Sequence, residues 1–228
     1  MTAAPDLPGN APDTPTITTM PAPPWKPLTR DIALVVAAPL VLAGFGLSHP
    51  GGLRPHNAQH WAELHIWLLP VWPLLALGVI VPLWGRPRRD AEGAATVVAW
   101  AGAFGYAVYY TGLDAVAGIA AGIAEEHGGE RRREVVRPLF HTGDALGQAG
   151  VWCLGAAAVA ASVALCLRYG ARVLPGTAVL LVCCWSFLDS HIFHPRGVVT
   201  MLGFALGFAL FVVAAARPPK AAGPEREA

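Results

Sequence analysis

Charge is what this sequence has least of: Asp, Glu, Lys and Arg make up 14% of its 228 residues, against 54% hydrophobic residues. So little polar surface cannot cover a soluble globule of this size, and the composition is that of an integral membrane protein. Other absences narrow the function. The chain has no phosphate-binding glycine loop, no dinucleotide fingerprint and no HExxH signature of zinc proteases. No basic stripe extends beyond the short run from Arg131 to Arg137, so nucleic acid is not an expected partner. There are three methionines, none of them among the histidine-bearing segments, which removes the thioether ligands that a Cu(I) shuttle would use. The four cysteines, Cys153, Cys166, Cys183 and Cys184, sit inside apolar segments without CxxC spacing, so a disulfide framework is not expected and they read as small buried hydrophobes. Met1 to Pro24 has neither a basic residue nor a long apolar core. It fails as a signal peptide and is expected to be a disordered tail, leaving the first apolar helix to act as an uncleaved signal.

What the sequence does contain is apolar runs, six of them: about Ile32 to Ser48, His65 to Trp84, Ala94 to Asp114, Thr142 to Leu167, Val173 to Leu188 and Val198 to Ala216. Since roughly 20 helical residues cross the hydrocarbon, the expected fold is an all-α integral membrane protein. It is a single bundle of six transmembrane helices over residues 28–216, with disordered cytoplasmic tails at 1–27 and 217–228. Lys26, Arg30, Arg86, Arg88, Arg89, Arg168, Arg172, Arg217 and Lys220 gather on one side of such a bundle, which places both termini in the cytoplasm. The Arg131 group lies on the other side, in a loop that also carries Glu125, Glu126, Glu130 and Glu134. Trp25, Trp61, Trp67, Trp72 and Trp84 suit an interfacial belt, and Pro70, Pro73 and Pro82 predict a kinked second helix. Gly118 with Gly122, and Gly203 with Gly207, have the spacing that lets helices approach closely in lipid. His49-Pro50 and His194-Pro195 mark similar helix-ending turns after the first and fifth spans. Past Asp114, the stretch from Ala115 to Ala124 is expected to lie on the membrane surface as a lid.

Alternate threading puts all eight histidines, together with Glu63, Asp114, Asp144 and Asp189, at the extracytoplasmic face. Ionisable groups at membrane depth are costly and usually functional, so this cluster is the expected site. His56, His60, Glu63 and Trp67 share one helical stripe, and Trp61, His65 and Leu68 form the adjacent one. His141, Asp144 and Gln148 make a polar stripe at the start of the fourth span, where an imidazole beside a carboxylate suits either a metal ligand with its orienting partner or a proton relay. Asp114 follows Tyr110 and Tyr106 at spacings of four and eight, and Asp189, His191 and His194 close the fifth span. The expected metal ligands are His60, His65, His141, Asp144, His191 and His194, and the expected catalytic groups are Glu63, Asp114, Asp189 and Tyr110.

Imidazole and carboxylate ligands suit iron, copper or zinc. The leading expectation is a membrane-embedded metalloenzyme acting on a lipid-soluble small molecule. Oxidoreductase chemistry is favoured over hydrolysis because no Ser or Cys is read as a nucleophile placed against a histidine. One alternative is a metal-free acid–base cyclase or isomerase of a prenyl-type substrate using Glu63 or Asp114. Another is a binding protein, such as a haem b protein with His65 and His141 as axial ligands, or a metal permease.

Overall fold

The computed structural model describes residues 25–85 and 87–216, and the two expected disordered tails lie outside these apart from residues 25–27, which open the first helix. The described residues are helical, with no strand among them. Helix α1 is Trp25–Gly46. A single 3-10 turn, Pro55–Asn57, leads into α2, Ala58–Leu68. Pro70 has no amide hydrogen to continue that helix, and the chain resumes as α3, Trp72–Leu83, bent by 42° from α2. The expected kink in the second span is therefore a break.

Helix α4, Ala91–Leu113, starts where the Asp90 carboxylate accepts the Gly93 N–H at 3.0 Å. The segment after Asp114 does not turn away as a surface lid. It continues through a π-helical stretch, Asp114–Ala120, into α5, Ala121–His127. After a short turn come α6, Arg132–Tyr169, α7, Leu174–Ser190, and α8, Arg196–Ala215. Five of these helical segments are long and apolar enough to cross a membrane, or six if the bent α2–α3 pair is one span.

Helix α4 packs most extensively on α6, and α8 lies between α1 and α7. Small residues make these approaches close: Ala157, Ala158, Ala161 and Ala164 of α6 are buried, and a Cβ at Gly102 would stand 2.8 Å from the Cys153 carbonyl oxygen. The fully buried side chains include Trp72, Tyr106, Tyr110, Phe187, Phe204, Phe208 and Phe211. Many large apolar side chains point outward instead, among them Trp67, Trp84, Phe104, Trp152 and Trp185. All four cysteines are free.

At the end where α4 begins and α6 finishes, Glu92 is buried between Arg168 and Arg88 and ties the two helices together. The opposite end, where α1 and α7 finish and α4 passes into its π-helical stretch, carries the histidines.

Candidate metal centre

Three helix ends converge on one point. Helix α1 ends at Gly46, three residues before His49, and Gly46 allows that end to sit against the chain after α7, since a Cβ there would stand 2.5 Å from the Ile192 carbonyl oxygen. Helix α2 turns the Trp61–His65 stripe inward, with Trp61 and His65 buried. Its close partner is the π-helical stretch, whose Ala117 carbonyl accepts the Trp61 indole N–H at 3.2 Å. At the end of α7, His191 has φ 41°, in the left-handed region that non-glycine residues seldom occupy.

Through these turns one ring nitrogen each of His49, His65 and His191 comes within 4.8 Å of the other two. The tautomers follow from the neighbours. His49 Nδ1 is 2.8 Å from the Pro50 carbonyl oxygen, and His65 Nδ1 is 2.6 Å from that of Trp61. A carbonyl only accepts, so in both rings Nδ1 carries the hydrogen and Nε2 the lone pair. Those two Nε2 atoms face each other at 3.4 Å, with no hydrogen left to place between them. His191 Nδ1 bonds the Tyr110 hydroxyl at 2.8 Å, while its Nε2 is buried without a partner. Burial lowers the pKa of His49 and holds that of His191 well below the ordinary imidazole value, with the neighbouring histidines adding to the effect at His191. Neutral rings with inward lone pairs are the state in which imidazole coordinates a cation.

Asp114 stands on the Nε2 side of His65, its Oδ1 3.9 Å from that nitrogen. The carboxyl group is fully buried, and neither oxygen has a hydrogen-bond partner. In front of the histidines lies a cavity of about 400 Å³, within the range of small-molecule sites. His65, Tyr110 and His191 form part of its wall, Trp61, Phe140, Phe187 and Phe193 supply aromatic faces, and Asp144, Gln148 and Asp189 supply the remaining polar groups.

Of the ten residues expected at the site, His65, His191, Asp114 and Tyr110 are brought together here. Asp144 and Asp189 line the cavity but are exposed, and Asp189 is engaged by Arg196 at 2.7 Å. His60, Glu63, His141 and His194 are exposed and do not join the three-histidine group, and Gln59 donates to Glu63 at 2.8 Å. His65 lines the cavity and His141 a separate outer basin, so the pair expected as haem ligands does not face one shared space. His49 is the ligand-type residue missing from the expected set. Trp61 and Trp72, expected in an interfacial belt, are 3% and 0% exposed: Trp61 lines the cavity, and Trp72 packs on Tyr110 and His191.

No known protein family, curated protein or solved structure matches this chain.

Proposed function

We propose that the chain is a multi-pass membrane metalloenzyme. It binds iron, copper or zinc through His49, His65 and His191, and it acts on a lipid-soluble small molecule held in the cavity. The observation that carries this reading is the His49–His65 pair, two Nε2 lone pairs facing each other at 3.4 Å. Two imidazole ligands at roughly 2.0–2.1 Å from a tetrahedral ion stand about 3.3–3.4 Å apart. A cation between them turns a repulsive contact into a bonding one. The orientation of the rings supports the same view, because each Nδ1 has the carbonyl or hydroxyl partner that typically holds a metal-ligating histidine in place.

Three protein ligands leave a coordination position free, the pattern of catalytic rather than structural sites. Here that position would face the cavity that His65 and His191 line. A metal so placed can activate water or dioxygen. Oxidoreductase chemistry is preferred because the four cysteines lie in apolar helices, and Ser48 and Ser190, next to His49 and His191 in sequence, turn their hydroxyls to backbone carbonyls and to Thr200 rather than to an imidazole nitrogen. We place the site toward the extracytoplasmic face, with both termini cytoplasmic, on the distribution of Lys and Arg.

A second, metal-free reading rests on Asp114, a buried carboxyl group with both oxygens unpartnered that could act as an acid toward a prenyl-type substrate. One experiment separates the two. Protein purified in detergent without chelators is analysed for bound metal by mass spectrometry and for colour by absorption. The metal reading expects about one iron, copper or zinc per chain. That metal should be lost in His49→Ala, His65→Ala and His191→Ala and retained in His60→Ala, His141→Ala and His194→Ala. Metal-free protein from every preparation would turn the case to Asp114, and a Soret band would turn it to haem.

A further inference from the structure

Helix α6 has 38 residues, about 57 Å at 1.5 Å per residue, against a hydrocarbon thickness of about 30 Å. Its apolar part begins near Thr142, so the turns before it stand at headgroup level if the helix spans a bilayer. On those turns Arg133, Arg137 and His141 follow one another at spacings of four and share a stripe. The adjacent Arg132 is accounted for by Glu125, 3.3 Å away. Among the described residues, Arg133 and Arg137 have no ion pair and no hydrogen bond from their side chains, although like charges one turn apart repel. Both line a surface basin of about 1130 Å³ together with Glu134 and His141. Phe140 forms part of the wall of this basin and also of the 400 Å³ cavity, so the two spaces adjoin.

We propose that the basin is a phosphate site for a lipid headgroup, and that the substrate of the cavity is a phosphate-bearing amphiphile. Arg133 and Arg137 grip the phosphate, and the apolar part runs past Phe140 toward the histidines. Guanidinium forks match phosphate oxygens in pairs, and a bilayer presents such headgroups at the depth where the stripe stands. Glu134 is the one opposing charge in the basin left without a cation, so the affinity is set by two arginines against one carboxylate. The substrate half of the proposal rests on the cavity being the reaction chamber; the headgroup half does not.

The test uses the full chain in detergent, titrated in native mass spectrometry with dioleoyl phosphatidic acid, dioleoylglycerol and inorganic phosphate. Phosphatidic acid is expected to bind at least about tenfold more tightly than dioleoylglycerol, and the Arg133→Gln/Arg137→Gln double variant should abolish that preference. Glu134→Gln should tighten phosphatidic acid binding, a change of opposite sign that loss of structure would not produce. Thermal unfolding of each variant checks that the exposed substitutions leave the fold intact. Equal binding of dioleoylglycerol, or an unchanged preference in the double variant, would overturn the headgroup site. Inorganic phosphate binding as tightly as phosphatidic acid would overturn its assignment to a lipid. His191→Ala should lose its metal and keep the lipid preference, so the two readings fail separately. A phosphatidic acid with a photoactivatable acyl end should crosslink to Trp61 or Phe187, and crosslinks confined to the lipid-facing surface of α6 would overturn the substrate half.

Discussion

Tyr110 offers the finest cut at the site, because a single oxygen joins it to His191 while its ring is held independently. The hydroxyl meets His191 Nδ1 at 2.8 Å, and the ring packs on Trp72 and Phe187 with centroids 4.7 Å away in each case. In Tyr110→Phe the packing stays and only the partner that orients the imidazole goes. Metal affinity, measured by competition with a chromophoric chelator, should fall about 10–100-fold with little change in thermal stability. Unchanged affinity would mean that His191 does not ligate through Nε2. Tyr110, Asp114, His65 and His191 were legible in the sequence because each stands at the end of an apolar run. The choice of face was harder. His56, His60 and Glu63 form a regular stripe, yet the structure turns it outward and buries the neighbouring Trp61–His65–Leu68 stripe. Apolar neighbours four residues before and three after His65 were the signal for burial; a stripe of polar residues at the same period reads as well for a solvated face. His49 was among the eight histidines but lacked a carboxylate near it in sequence, and its place depends on how closely α1 approaches the turn after α7.

Among the elements, the close approach of α2 to the π-helical stretch decides where His65 points. A Cβ at Gly118 would overlap the His65 imidazole, and one at Gly122 would stand 2.9 Å from the Ala62 Cβ. In the second glycine pair, a Cβ at Gly203 would overlap the Cys183 sulfur and one at Gly207 the Leu180 side chain, where α8 meets α7. Both small-residue spacings visible in the sequence are thus helix contacts, but only one borders the histidines. Gly118→Ala and Gly203→Ala should each cost about 1–3 kcal/mol of stability through overpacking. Gly118→Ala should also release the metal, by displacing His65, and Gly203→Ala should not. If both variants keep full metal occupancy, the position of His65 does not depend on this contact. Approximate helix positions were readable from apolar runs, with five candidate spans, or six if the broken α2–α3 pair is one, and the prolines marked where the second bends. The continuation beyond Asp114 was not, because a π-helical turn leaves no mark in hydrophobic period; Asp114–Ala120 looks like the start of a separate element when it is part of the same rod.

For the whole molecule the open question is which way the bundle faces, and the charges do not all agree. Arg88, Arg89, Arg168 and Arg172 gather at the end where α4 begins and α6 finishes, while Arg131, Arg132, Arg133 and Arg137 stand at the histidine end. The second group lies on helices that run well past a bilayer: the stretch Ala91–His127 has 37 residues and Gly129–Tyr169 has 41, about 56 and 62 Å. Their charges still stand within the first turns beyond Thr142 and count against this orientation, but with Arg54 and Arg196 they make six Lys and Arg at the histidine end against nine at the other. Partial neutralisation by the Glu125–Arg132 pair adds little, since acidic residues hardly enter the rule. The first group should therefore prevail and hold its end in the cytoplasm. Gly51, exposed at the histidine end with open space at its Cβ, and Ala171, exposed at the other, are suitable reporters. In intact cells a membrane-impermeant maleimide should label Gly51→Cys and spare Ala171→Cys, and permeabilisation should make both reactive. The four native cysteines lie within apolar helices, two of them buried, and should contribute little background. Labelling of Ala171→Cys alone would invert the protein and put the three histidines and the arginine basin on the cytoplasmic leaflet. Their geometry would stand unchanged, but the lipids and metal pool they could draw on would be those of the other compartment.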